Sequence, residues 1–409
     1  MAPSVPESPY AWLRLWASLG LMTIGGVGMY AMAVALPLVQ AEFGVSRSEA
    51  SLPYTLTMVG FGLGGIMMGR LADRFGVMVP SIIGTLCLAG GFLGAAKASS
   101  LLQFSLAHGL LIGFLGCSAT FAPLVADTSH WFDRRRGIAV AICASGNYLG
   151  GAIWPPVLQH FFDASGWRAT YAAVGVFCLL AMLPLTLALR RNPPRHAEAP
   201  VAAAAGVSAT RPLGFPSNTL LGLLAVAGVA CCVAMSMPQV HIVAYCGDLG
   251  YGAQRGAEML SLMLGAGIVS RLVSGWICDR IGGLRTLLLG SALQGIALAL
   301  FLPFDGLVSL YVVSALFGLF QGGLVPSYAI IIREYFPPRE AGARVGFVIM
   351  ATLFGMALGG WMSGAIFDYT GSYRAAFLNG LGWNLLNMTI AIWLLRRSRP
   401  RTRLNFGVH

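Results

Sequence analysis

The chain has 409 residues, of which 57% are hydrophobic and only 10% charged, with a formal net charge of +11 and a mean hydropathy of +0.75. Soluble domains carry about 25% charged residues, so these values exclude a soluble globular protein and predict a polytopic membrane protein. Its apolar runs are long and continuous, which predicts helices, not the short alternating strands of an outer-membrane barrel.

The positive charge does not predict a nucleic-acid partner. Lys97 is the only lysine, and the arginines gather in short loops and at the C-terminus, with no basic face interleaved with aromatics. The eight cysteines (Cys87, Cys117, Cys143, Cys178, Cys231, Cys232, Cys246, Cys278) lie almost entirely inside apolar runs. No CxxC pair occurs among them, so they read as small packing residues, with no metal site and no cofactor expected. The start, "MAPSVPESPYAWLRLW", has acids and prolines where a cleaved leader would be basic, so the first apolar run is expected to stay as a membrane helix.

A helix needs about 20 apolar residues to cross a bilayer. About twelve such runs follow one another: 14–40, 51–69, 79–97, 101–128, 137–161, 169–190, 217–246, 256–278, 285–303, 307–334, 342–367 and 374–396. Arginines follow every even-numbered run. Arg70 and Arg74 follow the second, Arg134, Arg135 and Arg136 the fourth, and Arg190, Arg191 and Arg195 the sixth. Arg280 and Arg285 follow the eighth, Arg333, Arg339 and Arg344 the tenth, and "RRSRPRTRLNFGVH" ends the chain. Such a bias places both termini in the cytoplasm of a cell that carries the chain in its cytoplasmic (inner) membrane.

Residues 191–216 form the one long Pro/Ala-rich polar segment, which reads as a cytoplasmic linker. It divides the chain into a half at 1–190 and a half at 217–409, the second with a basic tail. The halves resemble each other. "GRLADRFG" at 69–76 matches "GWICDRIG" at 275–282, and "DASGWRATY" at 163–171 matches "DYTGSYRAAF" at 368–377. Asp73 pairs with Asp279 and Arg168 with Arg374 at one common offset. That signals a duplicated six-helix unit, an all-α membrane fold of twelve helices in two pseudo-symmetric halves around a polar cavity.

The two loops resemble the GxxxDRxGR signature of the major facilitator superfamily, and the resemblance covers the whole chain. It implies that Gly69 allows close helix approach. It also implies that Asp73 and Asp279, with Arg74 and Arg280, gate the cytoplasmic helix ends. Both copies lack the closing basic residue, with Val77 and Gly283 in its place. Two further stretches, "YAMAVALPLVQAEFGVSRSEASLPYT" at 30–55 and "WFDRRRGIAVAICASGNYLGGAIWPPV" at 131–157, are similar to the monocarboxylate transporter and oxalate:formate antiporter branch. That similarity implies small carboxylates as cargo.

Arg271 interrupts the eighth run in "GIVSRLVSGWICDRIGG". At 1.5 Å per residue it lies about 12 Å from the Asp279 loop, near mid-membrane. An intramembrane arginine is costly and points to function, and its guanidinium can hold a carboxylate through two parallel hydrogen bonds. In the resembled family the eighth helix supplies such an arginine, and Arg271 matches it. Snorkelling to the surface, or pairing with a buried acid, is the alternative. Proton-coupled relatives often carry an acid one turn earlier, where this chain has Gly267. The first-helix lysine of animal relatives is also missing from Thr23-Ile24-Gly25-Gly26.

Without that pair, His241 and His108 are the candidates for proton coupling. Asn147, Tyr30, Tyr328 and His241 join Arg271 as candidate substrate contacts, with Tyr54, Gln239, Tyr245 and Gln321 behind them. Interhelical hydrogen bonding is the competing reading for each. Asp127 is expected to pack against Arg134–Arg136, and Asn379, Asn384 and Asn387 to serve packing. No Walker loop, HExxH motif or nucleophile–base pair is present, so no enzyme is expected.

The expected activity is secondary active transport of a small organic anion, a monocarboxylate, by alternating access with proton symport, in a monomer embedded in lipid. The counter-ion would be a proton or a second anion. An organic-anion exchanger or a drug or metabolite exporter of the same fold is the nearest alternative. A non-transporting membrane sensor is the alternative from another class.

Overall fold

The computed structural model describes residues 7–132, 134–191 and 212–398. Most of the linker, including Arg195, and the last residues of the basic tail lie outside them. Every span in the described chain is a helix. Twelve are long and apolar enough to cross a membrane: α1 (Pro9–Phe43), α2 (Arg47–Phe75), α3 (Met78–Ala96), α4 (Leu101–Trp131), α5 (Arg136–Ser165) and α6 (Trp167–Leu187), then α7 (Ser217–Asp248), α8 (Ala253–Ile281), α9 (Gly283–Leu300), α10 (Leu307–Tyr335), α11 (Glu340–Thr370) and α12 (Tyr373–Ser398). The two ends of the bundle are called here the linker end, where α6 stops and α7 starts, and the far end.

α2 starts four residues before the apolar run that betrays it. Ser46 caps it by accepting from Glu49 N while Glu49 answers Ser46 N, a capping box. Three spans are not continuous α-helix. α1 is interrupted at Gly26, α4 contains a π-helical stretch, Ala107–Cys117, and α10 breaks between Gln321 and Leu324. Such interruptions are tolerated in membranes where neighbours re-satisfy the backbone, and they collect at functional cavities.

Within lipid there is no hydrophobic force between helices, so close backbone packing must hold them. Glycines supply it at particular positions. A Cβ at Gly64 would fall 2.0 Å from Phe114 O of α4, and one at Gly318 would fall 2.0 Å from Met263 O of α8. The expected close approach at Gly69 is not made, since a Cβ there meets nothing within 4 Å. The halves meet along α2 with α11, α5 with α8, and α1 with α7.

The far end is sealed between the halves by polar contacts. Arg47 of α2 binds Asp248 of α7 through two nitrogens, at 3.0 and 3.2 Å, and donates to the Tyr373 hydroxyl at 2.8 Å. Asp368 of α11 accepts from the backbone N–H groups of Arg47 and Ser48, both at 2.8 Å. A carboxylate at a helix N-terminus is favoured by the exposed amides there.

At the linker end, one expectation is corrected. Asp127 does not pack on the Arg134–Arg136 cluster. It forms a buried two-bond ion pair with Arg14 of α1, at 2.7 and 2.8 Å, under the Trp131 ring. A guanidinium so deep in the protein needs a carboxylate with both oxygens in line, and α4 delivers it in Asp127, while the side chains of Arg134–Arg136 are exposed.

Candidate functional site

A cavity of about 310 Å³ lies between the halves. Its wall is built from α1 (Met29, Tyr30), α2 (Tyr54, Met58, Phe61), α5 (Asn147, Tyr148), α7 (Met235, Gln239), α8 (Leu264, Arg271) and α11 (Met350, Met356), among others. Arg271 is the only charged side chain among its described lining residues. Among the described residues no carboxylate and no imidazole lines it.

The wall follows from local sequence. In "SGNYLGG" the glycines let α5 lie against α1. A Cβ at Gly146 would meet Met22 Cβ at 2.9 Å, and one at Gly150 would meet Thr23 O at 2.6 Å. Trp154 Nε1 also donates to Thr23 O, at 2.9 Å. This contact aims Asn147 and Tyr148 into the cavity. Gly151 clears room for the Tyr30 ring, whose Cζ would sit 2.8 Å from a Cβ there. The Tyr30 hydroxyl donates to Asn147 Oδ1 at 3.1 Å.

Arg271 of α8 lies against the same stretch of α5. Its guanidinium carbon sits 4.3 Å from the Tyr148 ring centre, a cation–π contact. Nη1 donates to Ala144 O at 3.3 Å. Nε is buried and has no hydrogen-bond partner, so the guanidinium's donors are not all used by the protein. The alternative of a buried acid is not realised among the described residues, where Arg271 makes no ion pair and its one hydrogen bond goes to a carbonyl. The acid missing at Gly267 has a steric cause. A Cβ there would lie 2.4 Å from Tyr148 Cε1, so the tyrosine ring occupies the space an acidic side chain would need.

Of the residues singled out from sequence, Arg271, Tyr30, Asn147, Tyr54 and Gln239 line the cavity. His241, Tyr328 and His108 do not. His241 is fully buried between Tyr373, whose hydroxyl lies 3.0 Å from Nδ1, and Gly360 O, 2.8 Å from Nε2. Tyr328 is committed to Asn387 Oδ1 at 2.9 Å, part of a packing cluster with Ser291 and Asn384. His108 is enclosed by Thr57 and Tyr171. These three are corrected to interhelical bonding in this conformation. Gln321 also turns inward, onto Gln239 Nε2 at 3.0 Å.

Tyr148, the stacking partner of Arg271, was missed. The only signal for it was its place beside Asn147. The signature-loop residues Asp73, Arg74, Asp279 and Arg280 are exposed. Asp73 and Asp279 hold no helix end here. At the second loop that role falls to Glu334, whose Oε1 accepts from Gly283 N at 2.9 Å. Arg280 folds over Trp276 instead, at 3.7 Å.

Comparison with known proteins agrees with this architecture. A family profile described as Major Facilitator Superfamily matches residues 17–309 and 259–407. The chain is 30% identical to Monocarboxylate transporter 13 of Bos taurus over 340 residues, 80% of this chain and 75% of that one. It is 27% identical to human Monocarboxylate transporter 11 over 91% of this chain and 80% of that one. To the MFS-type transporter opdF of Penicillium oxalicum it is 26% identical over 96% and 95%. Among solved structures, a bacterial homolog of the human lysosomal transporter Spinster, inward-facing and occupied, superposes with a TM-score of 0.70 at 15% identity, over 96% of this chain and 98% of that one. The nucleoside transporter NupG gives the same TM-score at 14% identity, over 96% and 100%. These structures share the fold. The chain is a transporter-type protein, not an enzyme, and it belongs to the major facilitator superfamily.

Proposed function

We propose that this protein carries a small organic anion, a monocarboxylate, across the cytoplasmic membrane by alternating access. The observation that carries the reading is Arg271: a lone cation on the wall of a cavity between two halves, with a free donor and no acid. A carboxylate seated there would take two charge-assisted hydrogen bonds and remove the one uncompensated charge that opposes closure. Tyr30 and Asn147, which line the same cavity, would bond a second polar group of the cargo. The relatives named as monocarboxylate transporters support the same cargo class. The arginines at the linker end support a cytoplasmic linker and termini, which makes the sealed far end the outer one.

Proton symport is the first coupling mode to test. A second reading, anion exchange, is favoured by one observation: among the described residues no carboxylate or imidazole lines the cavity to carry a proton. In proteoliposomes, labelled monocarboxylates are offered with a pH gradient alone, or with unlabelled anion inside and no gradient. Uptake driven by the gradient supports symport. Uptake only by counterflow supports exchange. Absence of both for every acid removes the anion reading.

A further inference from the structure

The duplication exposes an asymmetry at the far end. In the first half, Glu42 at the end of α1 binds Arg168 at the start of α6, at 2.8 and 2.6 Å, and Trp167 Nε1 donates to the same carboxylate. The offset of 206 positions that relates Asp73 to Asp279 carries Glu42 to Asp248, Trp167 to Tyr373 and Arg168 to Arg374. The second half therefore holds the same three parts: an acid ending its first helix, and an aromatic and an arginine opening its last.

Yet in this conformation the acid is not on its own arginine. Asp248 has turned across the interface to Arg47, which has no basic counterpart in the second half, where the equivalent residue is Ala253. Arg374 is exposed and makes no ion pair among the described residues. It is nevertheless within reach. Arg47 Nη1 touches both Asp248 and the Tyr373 hydroxyl, so the acid lies beside the residue next to Arg374. Tyr245, one turn before Asp248, packs edge-on to the Tyr373 ring at 5.5 Å.

We propose that Asp248 is the moving part of a far-end latch, shared between two competing arginines. With the far end closed it holds Arg47 of the other half. When the halves part there, it passes to Arg374 and completes within the second half the pair that Glu42–Arg168 makes permanently in the first. The exchange keeps the carboxylate paired in both states. Opening therefore leaves no carboxylate unpaired, and Arg47, buried at the closed seam, gives up its partner only as the parting halves admit solvent to it, so the two states stay close in free energy. Arg47 then sets the weight of the closed state and Arg374 the weight of the open one. This rests on the alternating-access reading and not on the identity of the cargo.

The test is a distance measurement on the full chain. Spin labels are placed at the far-end turns of opposite halves, at Ser99→Cys and Pro303→Cys, on a Cys87→Ser background; the other seven cysteines are buried. The wild type should show a short and a long distance. Arg374→Gln should lower the long fraction, and Arg47→Gln raise it, each by about threefold in the ratio, as expected for half-exposed pairs. Arg374 makes no ion pair in the closed state, so its replacement leaves folding intact and is the decisive arm. A ratio unchanged or raised in Arg374→Gln overturns the latch while leaving alternating access standing. A single distance in the wild type and in both variants, with and without cargo, overturns both.

Discussion

The Arg271 guanidinium lies 4.3 Å from the centre of the Tyr148 ring, and that ring fills the space which a side chain at position 267 would need. One tyrosine thus orients the cavity's cation and keeps an acid from its side. The consequence is a site with unopposed positive charge, suited to an anion.

Replacing the ring tests the first part. Tyr148→Phe keeps the π face and should leave the KM for the transported anion nearly unchanged. Tyr148→Ala removes a cation–π contact of about 0.5–2 kcal/mol, which corresponds to a roughly 2- to 30-fold rise in KM. Initial-rate uptake in proteoliposomes reads both. Equal effects of the two variants would mean that the hydroxyl matters and the ring does not.

Position 267 tests the second part. Gly267→Ala puts a methyl 2.4 Å from Tyr148 Cε1 and should displace the ring at an overpacking cost of about 1–3 kcal/mol. Thermal unfolding should come earlier and transport should fall. Gly267→Glu should do no better, since the larger side chain meets the same obstruction. A Gly267→Glu variant that gains pH-driven uptake would show that the ring yields readily.

The buried Arg14–Asp127 pair is a matter of stability, away from the cavity. Asp127→Leu alone leaves a guanidinium buried without its counter-charge and should cost about 3–5 kcal/mol, and Arg14→Met alone strands the carboxylate. Arg14→Met combined with Asp127→Leu removes both charges and should be less damaging than either single change. Thermal melts of the four proteins in detergent give the coupling, and simple additivity would deny that the pair acts as a unit.

His241 is bonded at both ring nitrogens. Gly360 O can only accept, so Nε2 carries a proton, and the Tyr373 hydroxyl, which accepts from Arg47, can donate to Nδ1. His241→Ala strands a buried carbonyl and a hydroxyl, at about 1–3 kcal/mol. Earlier melting with an unchanged KM is expected. A changed KM with unchanged melting would return His241 to the substrate site.

The spans were legible because lipid demands unbroken apolar length, and that demand shows in any window of the sequence. Arg271 was legible for the converse reason, a charge where length alone is required. The breaks at Gly26, in the π-helical stretch of α4 and at Gly322–Gly323 were hidden, because apolar residues continue through them. The beginning of α2 was hidden because its first turn carries Arg47 and Glu49, whose partners lie on other helices or in a cap. Arg14 and Asp127 stand 113 residues apart, and nothing local announces that they meet. His241 and Tyr328 were drawn toward the cavity by residue type alone. Which face of a helix they occupy depends on neighbours that a single sequence does not name.

The most direct test of the central claim compares a monocarboxylate with its uncharged amide, by equilibrium binding to the purified protein, in the wild type and in Arg271→Ala. The wild type should prefer the acid by about tenfold or more, as a lost charge-assisted pair implies, and the preference should vanish in the variant. A variant that keeps the preference, or a wild type without one, would contradict the assignment of Arg271 to the carboxylate.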